Sequence, residues 1–244
     1  MCNFEKTYNM LNLYKQQTAC LVAVDSIIFG FDGENLKLLL VKRGLEDDTN
    51  TWSLMGGWLK PDEGLNDAAH RVLFEHTGLR DVYLEQIAAF GNPDRDPVMR
   101  TVSVIYKALV NIEEYNEKIS NKLTTSWFLI NELPTLLFDH SEMVALAIER
   151  LRSNASLHPI GFELLPEKFT LPQLQKLYEA IFNTEFDKRN FTRKLLATGF
   201  LVKTNEKQKG FSKKGAYYYY LNKEKYNNDH AFNFLSLTNP DKIL

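Results

Sequence analysis

The sequence predicts two unlike domains in series, a mixed α/β domain followed by a smaller unit of two helices and a β-hairpin. Three observations predict this. Between Thr18 and Leu151 the apolar residues switch repeatedly between strand spacing and helix spacing. Ser153 to Gly161, with its Ser, Asn, Pro and Gly, then breaks the pattern. Finally, the charge reverses at that break: residues 1–159 carry a net −7 and residues 160–225 a net +6, inside a whole-chain charge of −2. A chain of 244 residues lets each part bury its own core. The expected division is 1–155 and 156–244.

The elements follow in order. Thr18 to Phe31 reads as a strand, Asp32-Gly33 as a turn and Leu36 to Lys42 as the return strand. Trp52 to Met55 is a short apolar run ending at Gly56-Gly57. Leu65 to His76 has helical spacing, with Leu65, Ala68, Ala69, Val72 and Leu73 on one side. Asn66 or Asp67 marks its start and Gly78 its end. Val82 to Phe90 and Val98 to Val110 read as strands flanking the loop Gly91 to Pro97, and Trp127 to Ile130 as another. Asp139 to Leu151 reads as a helix. Beyond the break, Thr170 opens a helix over Leu171 to Phe182, with Pro172 in its first turn. Asp187 caps a second helix that runs to Thr198 and ends at Gly199. Phe200 to Lys203 and Ala216 to Leu221 read as two strands joined by a Lys- and Gly-rich loop. Helix, tight turn, helix and basic hairpin is the layout of a winged helix-turn-helix.

Composition excludes several classes. Cys2 and Cys20 form no CxxC pair and no metal-binding spacing. Residues 1–17 lack a basic segment followed by an apolar run, so no signal peptide is expected. No stretch approaches ~18 apolar residues, so no membrane helix is expected. The expectation is a cytoplasmic protein with no membrane partner and no cofactor.

Gly57 to Leu79 resembles the Nudix box, G-x5-E-x7-R-E-U-x-E-E-x-G-U, with U a bulky aliphatic. Gly57, Glu63, Arg71, Leu73, Glu75 and Gly78-Leu79 match it. The resemblance implies an α/β/α sandwich. It also implies a one-faced cluster of three glutamates, at i, i+3 and i+4, that holds divalent cations against a diphosphate. Here those positions are Val72, Glu75 and His76. Valine cannot bind a metal, and neutral imidazole is a poor substitute for carboxylate with Mg²⁺. No catalytic residue and no metal site is therefore expected. Arg71 is expected to pair with Glu75, four residues on, and with Glu63.

Phe90 to Pro97, Val102-Ser103-Val104 and Phe138-Asp139-His140 resemble marks of one Nudix branch, the NrtR-type and AraR-type transcription regulators. The likeness continues over Phe169 to Glu179 and Asp187 to Leu196. It implies a Nudix domain that senses a small molecule, ADP-ribose in NrtR-type members and L-arabinose in AraR-type members. It also implies a winged helix that binds DNA and a homodimer on a palindromic operator. The expected effector contacts are Arg43, Glu75, Arg95 and Asp96. The incomplete metal site favours a sugar over a diphosphate that needs Mg²⁺.

In the second domain Phe191, Leu195, Leu196 and Phe186 supply the apolar side of the second helix. Lys188, Arg189, Asn190, Thr192, Arg193 and Lys194 remain for the other faces. Arg and Asn can read base edges in the major groove, while Lys and Thr hold phosphates. Lys213 and Lys214 in the hairpin loop are expected to grip the backbone. Of Tyr217 to Tyr220, two are expected in the core and two outside. Two other functions compete: a hydrolase of ADP-ribose or a similar nucleoside diphosphate using Glu63, Glu75 and His76, and an adaptor whose winged helix meets protein.

Overall fold

Leu21–Phe31 (β1) is apolar at nearly every position because both faces of this strand are covered. In the computed structural model, which describes residues 13–42, 51–116, 125–157, 160–208 and 215–228, β1 is the centre of a seven-stranded sheet. The other strands are Leu36–Lys42 (β2), Trp52–Ser53 (β3), Met55–Trp58 (β4), Glu85–Phe90 (β5), Thr101–Asn111 (β6) and Thr125–Leu129 (β7). The main order is β3-β2-β1-β6-β5, with β4 also on β1 and β7 also on β2. β1 and β6 pair in parallel from Leu21↔Thr101 to Phe31↔Asn111, and β2 returns antiparallel to β1.

Alternation along β1 sorts its side chains between two helices. Val24 packs with Ala68, Ala69 and Val72 of Leu65–Thr77 (α1). Ile27 and Phe29 pack on the other face with Met143, Ala147 and Leu151 of His140–Leu157 (α3). Ile112–Tyr115 (α2) is one short turn after β6. Gly78 closes α1 at φ 77°, a conformation that costs glycine little. Asp67 accepts from the Gly64 backbone N–H, so α1 is capped from Gly64 rather than from Asn66 or Asp67.

The second domain follows at Ile160. Its helices are Leu171–Phe182 (α4) and Lys188–Ala197 (α5), and a three-stranded sheet runs β8-β10-β9. Its strands are Phe169–Thr170 (β8), Leu201–Gln208 (β9) and Ala216–Leu221 (β10), and Lys223–Asn228 (α6) follows. Thr170 and Gln173 form a reciprocal capping box at α4, and Asp187 accepts from the Asn190 backbone N–H at α5.

The domains share one continuous core. It runs from Phe29 and Leu38 in the sheet, through Met143 and Leu151 of α3, to Leu174, Leu177 and Tyr178 of α4 and Phe191 of α5. Among the polar bonds that cross the same junction, two run from side chain to backbone. Arg152 Nε donates to the Ile181 carbonyl at 2.8 Å, and Asn111 Nδ2 donates to the Leu164 carbonyl at 3.3 Å. A buried large apolar side chain contributes about 1.5–3 kcal/mol, so this shared core outweighs the two bonds.

Four expectations are corrected. α3 continues to Leu157, into the predicted Ser153–Gly161 break, because Ala155 and Ser156 are buried on it. β9 runs to Gln208 and takes the first part of the expected loop, paired with β10 as far as Gln208↔Ala216. Leu196 is 41% exposed, off the Phe191–Leu195 face of α5. Only Tyr219 of the four tyrosines is buried, because a register shift between Tyr217 and Tyr219 interrupts the alternation. No helix among the described residues is long and apolar enough to cross a membrane.

Candidate functional site

α1 places Val72, Glu75 and His76 at the positions where a Nudix box would carry three glutamates. Val72 is 1% exposed, and its Cγ2 would lie 2.6 Å from a Cβ added at Gly57. Glycine is thus needed at residue 57 to admit this valine. His76 Nε2 lies 3.3 Å from the Gly56 carbonyl. Arg71 Nη1 donates to Glu75 at 3.1 Å, while its Nε and Nη2 donate to Glu63 at 2.8 and 2.6 Å. Arg71 Nη2 also donates to the Trp58 carbonyl at 2.9 Å. The Arg71 hydrogen bonds hold the Glu63 carboxyl down at a pKa of about 2. Both pairings expected of Arg71 are present. Among the described residues no group of three His, Cys, Asp or Glu side chains is placed to hold a metal ion. The donor set along α1 does not fit a divalent metal pair.

Beside this helix lies a cleft of about 380 Å³. β1 supplies Ala23 and Asp25, β4 supplies Gly56, Gly57 and Trp58, the loop before β6 supplies Arg95, Asp96 and Val98, Thr101 opens β6, and Phe138 and His140 stand at the start of α3. Arg95 is buried and clamped bidentately by Asp139, with Nε–Oδ2 2.9 Å and Nη2–Oδ1 2.8 Å. Asp96 accepts from the Val98 backbone N–H at 2.9 Å and from Thr101 Oγ1 at 3.1 Å. The Val98 bond first, and the others with it, lower its pKa. On the floor Ser103 Oγ donates to the buried Asp25 carboxylate. His140 Nδ1 accepts from the Leu54 backbone N–H at 3.2 Å. That bond puts the proton of a neutral ring on Nε2, which lies 3.8 Å from Asp25 Oδ1. Trp58, Val98 and Phe138 are exposed around the same cleft, and Phe138 holds φ 50°, a strained value for a non-glycine residue.

Of the four expected effector contacts, Arg95 and Asp96 line this cleft. Glu75 does not line it and reaches its edge through Arg71 and the Trp58 carbonyl. Arg43 lies outside the described residues. Sequence reasoning missed Asp25, Trp58 and Phe138, Asp139 and His140 as site residues. An aspartate inside the apolar run Leu21–Phe31 was the available signal, since an unpaired buried carboxylate is costly.

α5 turns Phe191 and Leu195 inward and leaves Lys188, Arg189 and Arg193 exposed. Thr192, Lys194 and Asn190 are half-buried. Asn190 Oδ1 accepts from Arg193 Nη2 at 2.7 Å, which fixes both side chains on one face. On the hairpin, Lys203 and Lys207 stand over the Tyr217 ring, with Nζ 3.6 and 4.5 Å from its centroid. Lys213 and Lys214 lie outside the described residues.

A sandwich of this kind carrying a winged helix defines a two-domain class, a Nudix domain joined to a DNA-binding module. Residues 21–147 match the NUDIX domain model and residues 161–221 match the NrtR DNA-binding winged helix domain. The chain belongs to the NrtR family of Nudix-related transcription regulators. It is 33% identical over 210 residues to the ADPR responsive transcriptional repressor NtrR of Acinetobacter baylyi, covering 84% of each chain. It resembles Shewanella oneidensis NrtR, whose crystal structure is a complex with a 27mer DNA, at 29% identity and TM-score 0.74 over 88% of this chain and 97% of that one. A MutT/nudix family protein from Enterococcus faecalis shares the fold at 24% identity, with TM-score 0.70 over 90% of this chain and 98% of that one.

Proposed function

We propose that this chain is a homodimeric transcription regulator whose Nudix domain binds ADP-ribose, or a close nucleoside diphosphate sugar, and thereby changes the affinity of the winged helix for a palindromic operator. The observation that carries this reading is Val72 packed against Gly57: the domain keeps a cleft and gives up the carboxylate face of its box helix. A sensor needs only the cleft. The A. baylyi relative is named as ADPR responsive, and the S. oneidensis relative was crystallised with DNA. The first name favours a nucleotide effector, and neither name mentions L-arabinose. The cleft suits such a ligand, with aromatic rings at Trp58 and Phe138 and the Arg95 cation at its wall.

In this reading Arg43, Arg95 and Asp96 meet the effector, and Glu75 acts by holding Arg71 against Trp58. Lys188, Arg189, Asn190, Thr192, Arg193 and Lys194 form the DNA-facing surface of α5, and Lys213 and Lys214 of the wing grip phosphates. The division at residue 155 is functional rather than mechanical, since α3 spans it. The chain is not a hydrolase. Glu63 and Glu75 are engaged by Arg71, and His76 faces a backbone carbonyl.

Selection of bound fragments from a host genome, with and without ADP-ribose or L-arabinose, tests the proposal. Enrichment of a few palindromic sites that responds to ADP-ribose alone supports it. Equal retention of all fragments under every condition overturns it, as does turnover of ADP-ribose with Mg²⁺ or Mn²⁺ that Glu75→Gln abolishes.

A further inference from the structure

A cavity with a defined wall lies away from the Nudix cleft, at the domain junction. Its volume is about 630 Å³, within the range of small-molecule sites. One wall comes from the end of α1's loop, β5, β6 and α2. The other comes from residues 160–169 and from the end of β10 and α6. Its chemistry differs from that of the effector cleft.

Two features meet there. Rings of Tyr115, Phe162 and Tyr226 are half-buried in the walls, and Tyr226 stands edge-on to Phe162 with centroids 5.9 Å apart. Carboxylates of Asp81, Glu114 and Glu163 stand exposed around them. The full lining carries five carboxylates against two ammonium groups. One of those ammonium groups, Lys107, is buried and spent on Glu85 at 2.9 Å. The other, Lys223, is exposed. The remaining field is negative. Its reach is visible in the phenols: after burial, Glu114 and Asp81 raise the Tyr115 pKa, and Glu163 raises that of Tyr226.

Aromatic faces attract cations through their quadrupole, and a desolvated cation gains most. A negative rim repels phosphates and free carboxylates over a Debye length of about 8–10 Å. Among the described residues no three of these carboxylates converge to hold a metal ion, so a small hydrated metal ion, which wants several oxygen ligands, finds no coordination shell here. We infer that the junction cavity is a second ligand site, selective for a small organic cation of the quaternary ammonium type. An occupant would touch both domains, so its binding favours one relative placement of the winged helix. This site is independent of ADP-ribose recognition in the Nudix cleft, with which it shares no lining residue.

The test is titration of the full chain by calorimetry with choline and with its neutral isostere 3,3-dimethylbutan-1-ol. The expected result is saturable choline binding at least about tenfold tighter than the alcohol, weakened as NaCl is raised. The Glu114→Gln/Glu163→Gln variant, altered at two exposed positions, is expected to keep its urea midpoint and its ADP-ribose affinity while losing about tenfold in choline affinity. Tyr226→Leu reads the aromatic contribution separately and is expected to weaken choline more than the alcohol. Equal binding of choline and alcohol, no saturable choline binding, or unchanged affinity in the double variant overturns the inference.

Discussion

Replacing Arg95 by methionine removes one half of a buried ion pair and leaves the other half in place. Its guanidinium side chain is 4% exposed and the Asp139 carboxylate 13% exposed, and two charge-assisted hydrogen bonds of 2.8 and 2.9 Å join them. Stripping one partner from such a pair costs about 3–5 kcal/mol, chiefly because the remaining charge stays desolvated. Asp139 keeps a little water access, so the lower end, about 3 kcal/mol, applies. With a urea slope of about 2 kcal/mol/M, the midpoint falls by about 1.5 M. All three tryptophans, Trp52, Trp58 and Trp127, lie in the Nudix domain, so their fluorescence reports its unfolding. Arg95→Met/Asp139→Leu replaces both partners by apolar groups and should recover most of the loss, giving a coupling energy of about 2 kcal/mol or more. A midpoint change below about 0.5 M in the single variant, or a double variant as unstable as the two singles added, would refute the reasoning.

Three further outcomes are expected. Arg152→Ala removes a bond between α3 and α4; operator binding should persist in fluorescence anisotropy, while the change produced by ADP-ribose shrinks severalfold. Glu63 is depressed to about 2 by Arg71, so its contribution is complete above the unfolded value near 4.5 and is lost as pH falls through the folded one. The urea-midpoint gap between wild type and Glu63→Gln should therefore narrow from pH 5 to pH 2, and a constant gap would contradict this. Arg189→Ala and Lys188→Ala each remove an exposed cation from α5. Each should flatten the log–log salt dependence of operator binding by about 0.9 if its contact is a phosphate, and leave it unchanged if the winged helix meets protein instead.

Much of this fold was legible because its signals are local. The capping pair Thr170 and Gln173, the Asp187 cap and the apolar spacing of α4 each act within one turn, and the structure places α4 over the predicted residues. The Arg71 pairings were legible for the same reason. What escaped depends on contacts far apart in sequence. α3 outran its predicted end because Ala155 is buried in a core shared with the second domain. Asp25 joins Ser103 and His140 across 78 and 115 residues, and Arg95 joins Asp139 across 44. No periodicity encodes such meetings. Asp96 was legible as a polar residue of the cleft loop, yet its oxygens turn out to hold the loop itself.

The central claim is that the Nudix cleft and the winged helix are coupled, and thermodynamic reciprocity tests it most directly. Operator affinity is measured with and without saturating ADP-ribose, and ADP-ribose affinity with and without saturating operator. The account predicts that both change by the same factor, in the range of about 5–150-fold. ADP-ribose affinity that operator leaves unchanged, or an operator affinity indifferent to ADP-ribose, would contradict it.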